Sequence, residues 1–165
     1  MKITLITACY NSAAMIGTAI DSVLAQRGVD IEYIVVDGGS IDGTVDIIKE
    51  YADKTFNSQF STLNFTFRWL SEKDSGMYDA INKGIKMATG DVVGILNADD
   101  VLATDDTLAH VAAAFWERGM GNAEQESNSH PETLQSRSDL LCNVSGEGRI
   151  DALYADIRFV KGRKF

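Results

Sequence analysis

The sequence predicts an α/β fold: a mostly parallel sheet with helices on both faces. Two observations predict it. Short apolar runs rich in β-branched residues alternate, four times over, with segments whose apolar residues recur at helical spacing. Alternation of this kind builds a parallel sheet covered on both sides. The polar residues that interrupt the pattern also gather where the strands end, at Tyr10 and Asn11, at Asp37, at Glu72 to Asp74 and at Asn97 to Asp100. An open α/β sheet binds its ligand at that edge, and ordinary turns do not explain polar residues recurring there in four successive units.

The elements follow in order. Ile3 to Ala8 is a short β-branched run and reads as a buried strand; its brevity, and the helix pattern that follows at once, set it apart from a signal peptide. Asn11 and Ser12 are candidate caps for a helix whose inner face carries Ile16, Ala19, Ile20, Val23 and Leu24 and which ends by Gly28. Ile31 to Val36 is the second strand, closed by Asp37-Gly38-Gly39-Ser40. A second helix carries Val45, Ile48 and Ala52, with Ile47 and Tyr51 beside them. Phe65 to Leu70 is the third strand, and Asp74-Ser75-Gly76 leads into a helix expected to bury Met77, Ile81, Ile85 and Ala88 before Thr89-Gly90 stops it. Asp91 to Leu96 is the fourth strand; the helix after it presents Leu108, Val111, Ala112 and Phe115. From Gly119 to Ser138 the composition turns polar and includes the chain's only proline, Pro131, so a mobile loop within one domain spanning 1–165 is expected there. A short strand is expected at Ala152 to Ile157.

With 165 residues, 45% of them apolar, the chain can build one well-filled core. No apolar run is long enough to span a bilayer. Cys9 and Cys142 lie outside any CxxC or Cys/His pattern, which disfavours a zinc site or a disulfide framework and fits two free thiols in a cytoplasmic protein. A net charge of −9 argues against a nucleic-acid partner. It still admits one small diphosphate, provided a divalent cation separates the two sets of negative charge.

Three segments carry the chemistry. The apolar run ending in Asn97-Ala98-Asp99-Asp100 delivers two adjacent carboxylates to the ligand edge. Mg or Mn takes one or two such carboxylates and completes its shell with water and phosphate oxygens. Asp37-Gly38-Gly39-Ser40-Ile41-Asp42-Gly43-Thr44 offers two glycines that allow close backbone approach, a carboxylate at the strand tip for a base N–H or ribose hydroxyl, and three residues able to cap the next helix. On the third helix Asp79, Asn82, Lys83 and Lys86 share the polar side. Gly84 costs about 1 kcal/mol relative to Ala there, which close helix packing would offset.

Together the stretches ITLITACYNS, IEYIVVDGGSIDGT, SEKDSGMYDAINKGIKMATGDVVGILNADD and DALYADI resemble the family 2 glycosyltransferases. Each motif is weak alone; their order and spacing are specific. The flavour is that of bacterial enzymes building capsular and exopolysaccharides, such as the colanic acid transferases. The resemblance implies the GT-A fold, a Rossmann-like sheet, and transfer of a sugar from a nucleoside diphosphate, uridine by default, to a saccharide or lipid-linked acceptor hydroxyl with inversion. A lipid-linked acceptor would place the enzyme at the inner face of the membrane. The resemblance also implies residue roles. Thr7, Tyr10 and Asn11 would line the base pocket. Asp37 would contact base or ribose, and Asp74 would lie near the base. Asn97 to Asp100 would stand in for the Asp-x-Asp metal motif, with Asp100 the safer ligand for Mn or Mg and Asp99 on the ribose or the metal. Lys83 would face the diphosphate.

One departure stands out. Family members place their general base well beyond the metal motif, in an acceptor-binding region, and here that region looks missing. Asp156 is the one late carboxylate near the expected ligand edge, a sugar or acceptor contact sooner than the base. The alternative reading is therefore a truncated or non-catalytic module that binds sugar nucleotide. A dehydrogenase would need GxGxxG after the first strand, where Ala8-Cys9-Tyr10-Asn11 stands. A phosphoacceptor domain would need its acidic pair at the first strand, and here the pair follows the fourth.

Overall fold

The computed structural model describes residues 1–57, 65–121, 141–143 and 152–153. Its elements run β1 (Lys2–Cys9), α1 (Ile16–Leu24), β2 (Asp30–Asp37), α2 (Thr44–Asn57), β3 (Phe65–Ser71), α3 (Met77–Met87), β4 (Val92–Ile95), α4 (Thr107–Gly121), β5 (Leu141–Asn143) and β6 (Ala152–Leu153). The sheet order is β3-β2-β1-β4-β5-β6. The first four strands are parallel, as the alternating pattern predicts, and β5 and β6 add an antiparallel edge. In register, Cys9 stands opposite Asp37 and Asp37 opposite Ser71. Three strands therefore end level, and their polar sequels share one edge.

Successive strand residues point to opposite faces, and each face has its own core. On one side Ile3, Leu5, Ile31, Tyr33, Val35 and Val92 meet Ile16, Ile20 and Val23 of α1, Ile48 of α2, and Leu108 and Val111 of α4. On the other, Ile6, Ile34, Val36 and Val93 meet Ala80 of α3, with Met87 and Ala88 against them. Helices thus cover both faces.

The inner face of α3 differs from the expected one. Ala80, Ile81 and Gly84 are buried, while Met77 and Ile85 are 52% and 40% exposed. Gly84 sets this roll: an ideal Cβ there would lie 2.5 Å from Cγ2 of Ile6. The glycine lets the helix sit down on β1, which is the close approach that offsets its propensity cost, and it swings Met77 toward the ligand edge. Asn82 faces solvent.

One buried polar cluster was not legible from pattern. Glu32 in β2 is 2% exposed. It accepts from the Thr4 hydroxyl (2.7 Å), the Thr89 amide (2.7 Å) and hydroxyl (3.0 Å), and Arg68 (3.1 Å). Burial pushes its pKa up, but these hydrogen bonds outweigh it and the carboxyl lies below its ordinary value. Arg68 also donates to the Met87 carbonyl at 2.6 Å, so the cluster ties the end of α3 to three strands.

Helix α4 continues through Gly121, taking up the first residues of the polar segment expected to be a loop. The remainder of that segment, 122–138, lies outside the described residues, as does Asp156. Of the expected late strand, Ala152–Leu153 pairs with β5.

Candidate functional site

A cleft of about 640 Å³ opens at the C-terminal edge of the parallel strands, within the size range of small-molecule sites. Each parallel strand contributes to it. Ala8, Cys9, Tyr10 and Ser12 come from the end of β1, and Gly38 and Gly39 from the end of β2. Lys73, Asp74 and Gly76 follow β3, with Met77 and Ala80 from α3 behind them. Asn97, Ala98 and Asp99 follow β4. Tyr10 is 61% exposed and lines the cleft.

The loop after β2 is built around Asp37, which is fully buried. Its carboxylate accepts from the amides of Gly39 and Ser40, each at 3.0 Å, from the Ser71 hydroxyl at 2.7 Å and from the Ser40 hydroxyl. Burial raises its pKa, and the Ser40 and Ser71 hydroxyls with the two amides more than reverse this, so the group lies below the usual carboxylate value. With both oxygens spent inside the protein, Asp37 does not line the cleft. It shapes the turn in which Gly39 adopts φ +84°.

The remaining polar residues of this segment do more than cap α2. Asp42 does accept from the Thr44 amide at 3.0 Å, as a cap should. It also accepts from the Ala13 amide at 3.0 Å. The Ser40 hydroxyl accepts from the Asn11 amide at 2.7 Å, and the Thr44 hydroxyl from the Ser12 amide at 2.8 Å. Asn11, with φ 49°, returns a bond by accepting from the Ile41 amide at 3.1 Å. Three successive amides ahead of α1 are thus held by the loop after β2, and this fixes the chain that carries Tyr10. Neither Asn11 nor Ser12 caps α1 through its side chain; the Ser12 carbonyl accepts from Met15 and Ile16 instead.

The structure thus places the expected site residues differently from one another. Tyr10, Asp74 and Asp99 line the cleft. Thr7 does not: it is fully buried, 2.9 Å from the Tyr33 hydroxyl. Asn11 braces the two loops. Lys83 is held by Glu72 at 2.9 Å and Asp79 at 3.5 Å and donates to the Lys73 carbonyl at 3.4 Å, so it steadies the segment after β3 and does not line the cleft. Its pKa is raised chiefly by the Glu72 hydrogen bond, against desolvation, with Asp79 adding to the rise. In the acidic turn the two carboxylates differ in setting. Asp100 accepts from the Asn97 amide group at 2.8 Å and stands behind the cleft, while Asp99 is exposed within it.

The model of the family described as "Glycosyl transferase family 2" matches residues 4–123. The chain belongs to glycosyl transferase family 2. A "PGL/p-HBAD biosynthesis glycosyltransferase" of Mycobacterium tuberculosis is 38% identical over 116 residues, covering 69% of this chain and 41% of the relative. An uncharacterized glycosyltransferase of Nostoc is 38% identical over 101 residues, covering 61% of this chain and 29% of its own length. The chain therefore spans about two fifths or less of these relatives. Among solved structures, residues 1–349 of Staphylococcus aureus TarS in complex with UDP-GlcNAc superpose with a TM-score of 0.59 at 29% identity, over 72% of this chain and 32% of that one. The mannosyltransferase PcManGT of Pyrobaculum calidifontis, in complex with GDP-Man and Mn2+, gives 0.58 at 28% identity, over 67% and 31%. The four parallel strands and their helices are the GT-A type of fold.

In this family 2 domain the donor set suits a divalent cation only in part. No group of three acidic, His or Cys side chains gathers among the described residues. Mg or Mn needs no more than one or two protein carboxylates when phosphate and water complete its shell, and Asp99 has no hydrogen-bond or ion-pair partner among the described residues. Asp99 in the cleft with Asp100 behind it fits that minimal role. Lys73, a cleft-lining cation, lies within the polar group expected at the third strand's end, Glu72 to Asp74, but the sequence alone assigned it no role of its own.

Proposed function

We propose that this cleft binds the nucleoside diphosphate of an activated sugar, and that the whole protein transfers the sugar to an acceptor hydroxyl with inversion. The observation that carries the reading is the cleft's make-up: an exposed tyrosine ring at one strand tip and an unpartnered carboxylate, Asp99, at another, over a wall of two glycines. The UDP-GlcNAc and UDP held by the TarS structures make uridine the first donor to test. The Mn2+ of the mannosyltransferase complex supports a divalent cation at Asp99, with Asp100 behind it. When bound, such a cation neutralises charge on the departing diphosphate. Tyr10 would stack on the base, and Gly38 and Gly39 would let the nucleoside approach the backbone.

Polysaccharide or glycolipid assembly, at the cytoplasmic face of the membrane, is the setting we favour. The acceptor would be a saccharide or a lipid-linked sugar. No helix among the described residues is long and apolar enough to cross a membrane. Asp156 is proposed as a sugar or acceptor contact. The second reading is a module that binds donor and transfers little; among the described residues the carboxylates that line the cleft are Asp74 and Asp99, and neither is proposed as the base. A thermal-shift panel of nucleoside diphosphates and their sugars, with and without manganese, tests the binding. Stabilisation by uridine diphosphate that manganese enhances is expected, and no stabilisation by any nucleotide would refute the proposal. Transfer to added acceptors, against slow donor hydrolysis alone, separates the two readings.

A further inference from the structure

The segment between β3 and α3, residues 72–76, brings Lys73, Asp74 and Gly76 to the cleft, yet the main chain anchors only its start. The Glu72 amide donates to the Asp37 carbonyl at 3.0 Å, and no backbone–backbone hydrogen bond reaches Lys73, Asp74 or Ser75 among the described residues. The seat beneath the segment offers no grip either. An ideal Cβ on Gly38 would stand 2.7 Å from Oδ2 of Asp74, and one on Gly39 would stand 3.5 Å from Cα of Lys73. Two residues without side chains make this contact close but smooth. At the far end Gly76 combines φ 116° with ψ 176°, a conformation nearly confined to glycine, and nothing stands where its side chain would be. The segment thus has the make-up of a flap, with one fixed start and a glycine pivot.

What holds the flap comes from α3. The Lys83 ammonium lies 2.9 Å from Oε1 of Glu72, 3.4 Å from the Lys73 carbonyl oxygen and 3.5 Å from Oδ2 of Asp79. That same Asp79 oxygen accepts from the Ser75 amide at 3.1 Å. One side chain therefore ties down Glu72 and Lys73 directly and Ser75 through Asp79. It also separates two carboxylates, Glu72 on the flap and Asp79 on the helix, which repel each other without it.

We propose that Lys83 is a positioning residue: a latch that keeps residues 72–76 closed on the glycine pair and so completes a cleft it does not touch. With the latch open, Lys73 and Asp74 leave the cleft together. Apparent affinity is then the intrinsic affinity scaled by the closed fraction, so charged and uncharged ligands lose the same factor. A lysine on the diphosphate would instead cost the charged ligand alone. The effect on binding rests on the nucleotide-binding reading of the cleft; the latch itself does not.

The test pairs residue-resolved amide exchange by NMR with calorimetric titration of UDP with manganese and of uridine alone. The proteins are the wild type, Lys83→Met, Lys83→Arg and Glu72→Gln. Lys83→Met should speed exchange at the Ser75 and Gly76 amides roughly 3–10-fold, as expected for losing a partly exposed ion pair with charged hydrogen bonds, while β1 amides keep their rates. UDP and uridine should weaken by one common factor of about 2–5. Glu72→Gln should act in the same direction, and Lys83→Arg should restore most of both properties. Raising sodium chloride from about 0.05 to 0.5 M should weaken uridine, which carries no charge, about twofold in the wild type and leave it unchanged in Lys83→Met. Unchanged exchange at Ser75 and Gly76 would overturn the latch. A loss of UDP affinity that spares uridine would place Lys83 on the diphosphate and overturn it too. Faster exchange with both affinities unchanged would overturn its link to the cleft. Binding of neither ligand by the wild type would overturn the nucleotide reading alone, because exchange still decides the latch.

Discussion

Replacing Asp37 with alanine tests whether this carboxylate holds the loop or touches the ligand. The side chain accepts from the Gly39 and Ser40 amides, the Ser40 and Ser71 hydroxyls and, weakly at 3.8 Å, the Cys9 thiol. The hydroxyls can rotate to other acceptors, but the two amides are fixed by the turn. Stranding them costs about 1–3 kcal/mol each. Both residues are half-buried, so water recovers part of the loss and about 2–4 kcal/mol should remain. Against a typical stability of about 5–15 kcal/mol this is a large fraction. Urea denaturation followed by circular dichroism measures it, with UDP affinity measured in parallel, and both should fall, because the same turn carries Gly38 and Gly39 into the cleft. Asp37→Asn keeps shape and part of the bonding, and serves where the alanine variant does not fold. It also isolates the charge. The folded-state pKa of Asp37 is lowered, so its stabilisation is complete above the unfolded value of about 3.9 and is lost as pH falls through the folded value beneath it. The stability gap between wild type and Asp37→Asn should therefore hold from pH 7 to about pH 4 and close below. An Asp37→Ala variant within about 1 kcal/mol of wild type, yet with lost nucleoside selectivity, would refute this reasoning and restore direct contact with the ligand.

Three further outcomes are expected. Gly84→Ala should destabilise by about 1 kcal/mol despite its better helix propensity, because the new Cβ meets Ile6, and the loss should shrink in an Ile6→Ala background; a thermal melt that rises with Gly84→Ala alone would contradict the packing. Asp99→Asn should abolish the manganese enhancement of nucleotide binding, with a smaller effect from Asp100→Asn; the opposite order, read by calorimetry, would make Asp100 the principal ligand. Cys9, whose thiol pKa is pushed up to about 12 by burial and the neighbouring Asp37, should resist iodoacetamide at pH 8 in the folded protein, at least about 100-fold more than in urea by peptide mass spectrometry; equal rates would show an accessible thiolate.

Much of this protein is local in origin and so legible in sequence. Ile3 to Ala8 and Ile31 to Val36 announce strands by their β-branched runs, and Ile16, Ile20 and Val23 a helix by spacing, because side-chain periodicity follows from backbone geometry alone. The clustering of polar residues at strand ends pointed to the edge where the cleft opens for the same reason, since parallel strands all end on one side. Tyr10, Asp74 and Asp99, singled out in that way, line the cleft.

What the sequence by itself determined was the order of the elements, the edge where the cleft opens, the family and most of the segments that meet there. Only the tertiary structure decided which of two neighbours lines the cleft. Asp37 turns inward because Ser71, on another strand, reaches its carboxylate. Lys83 is taken by Glu72, leaving Lys73 to the cleft. Asp100 is drawn back by Asn97 while Asp99 stays exposed, and α3 rolls to seat Gly84 on Ile6. At a turn no period dictates where a side chain points. Its direction follows from hydrogen bonds and contacts with residues the fold brings near, and those exist only once the chain has closed on itself.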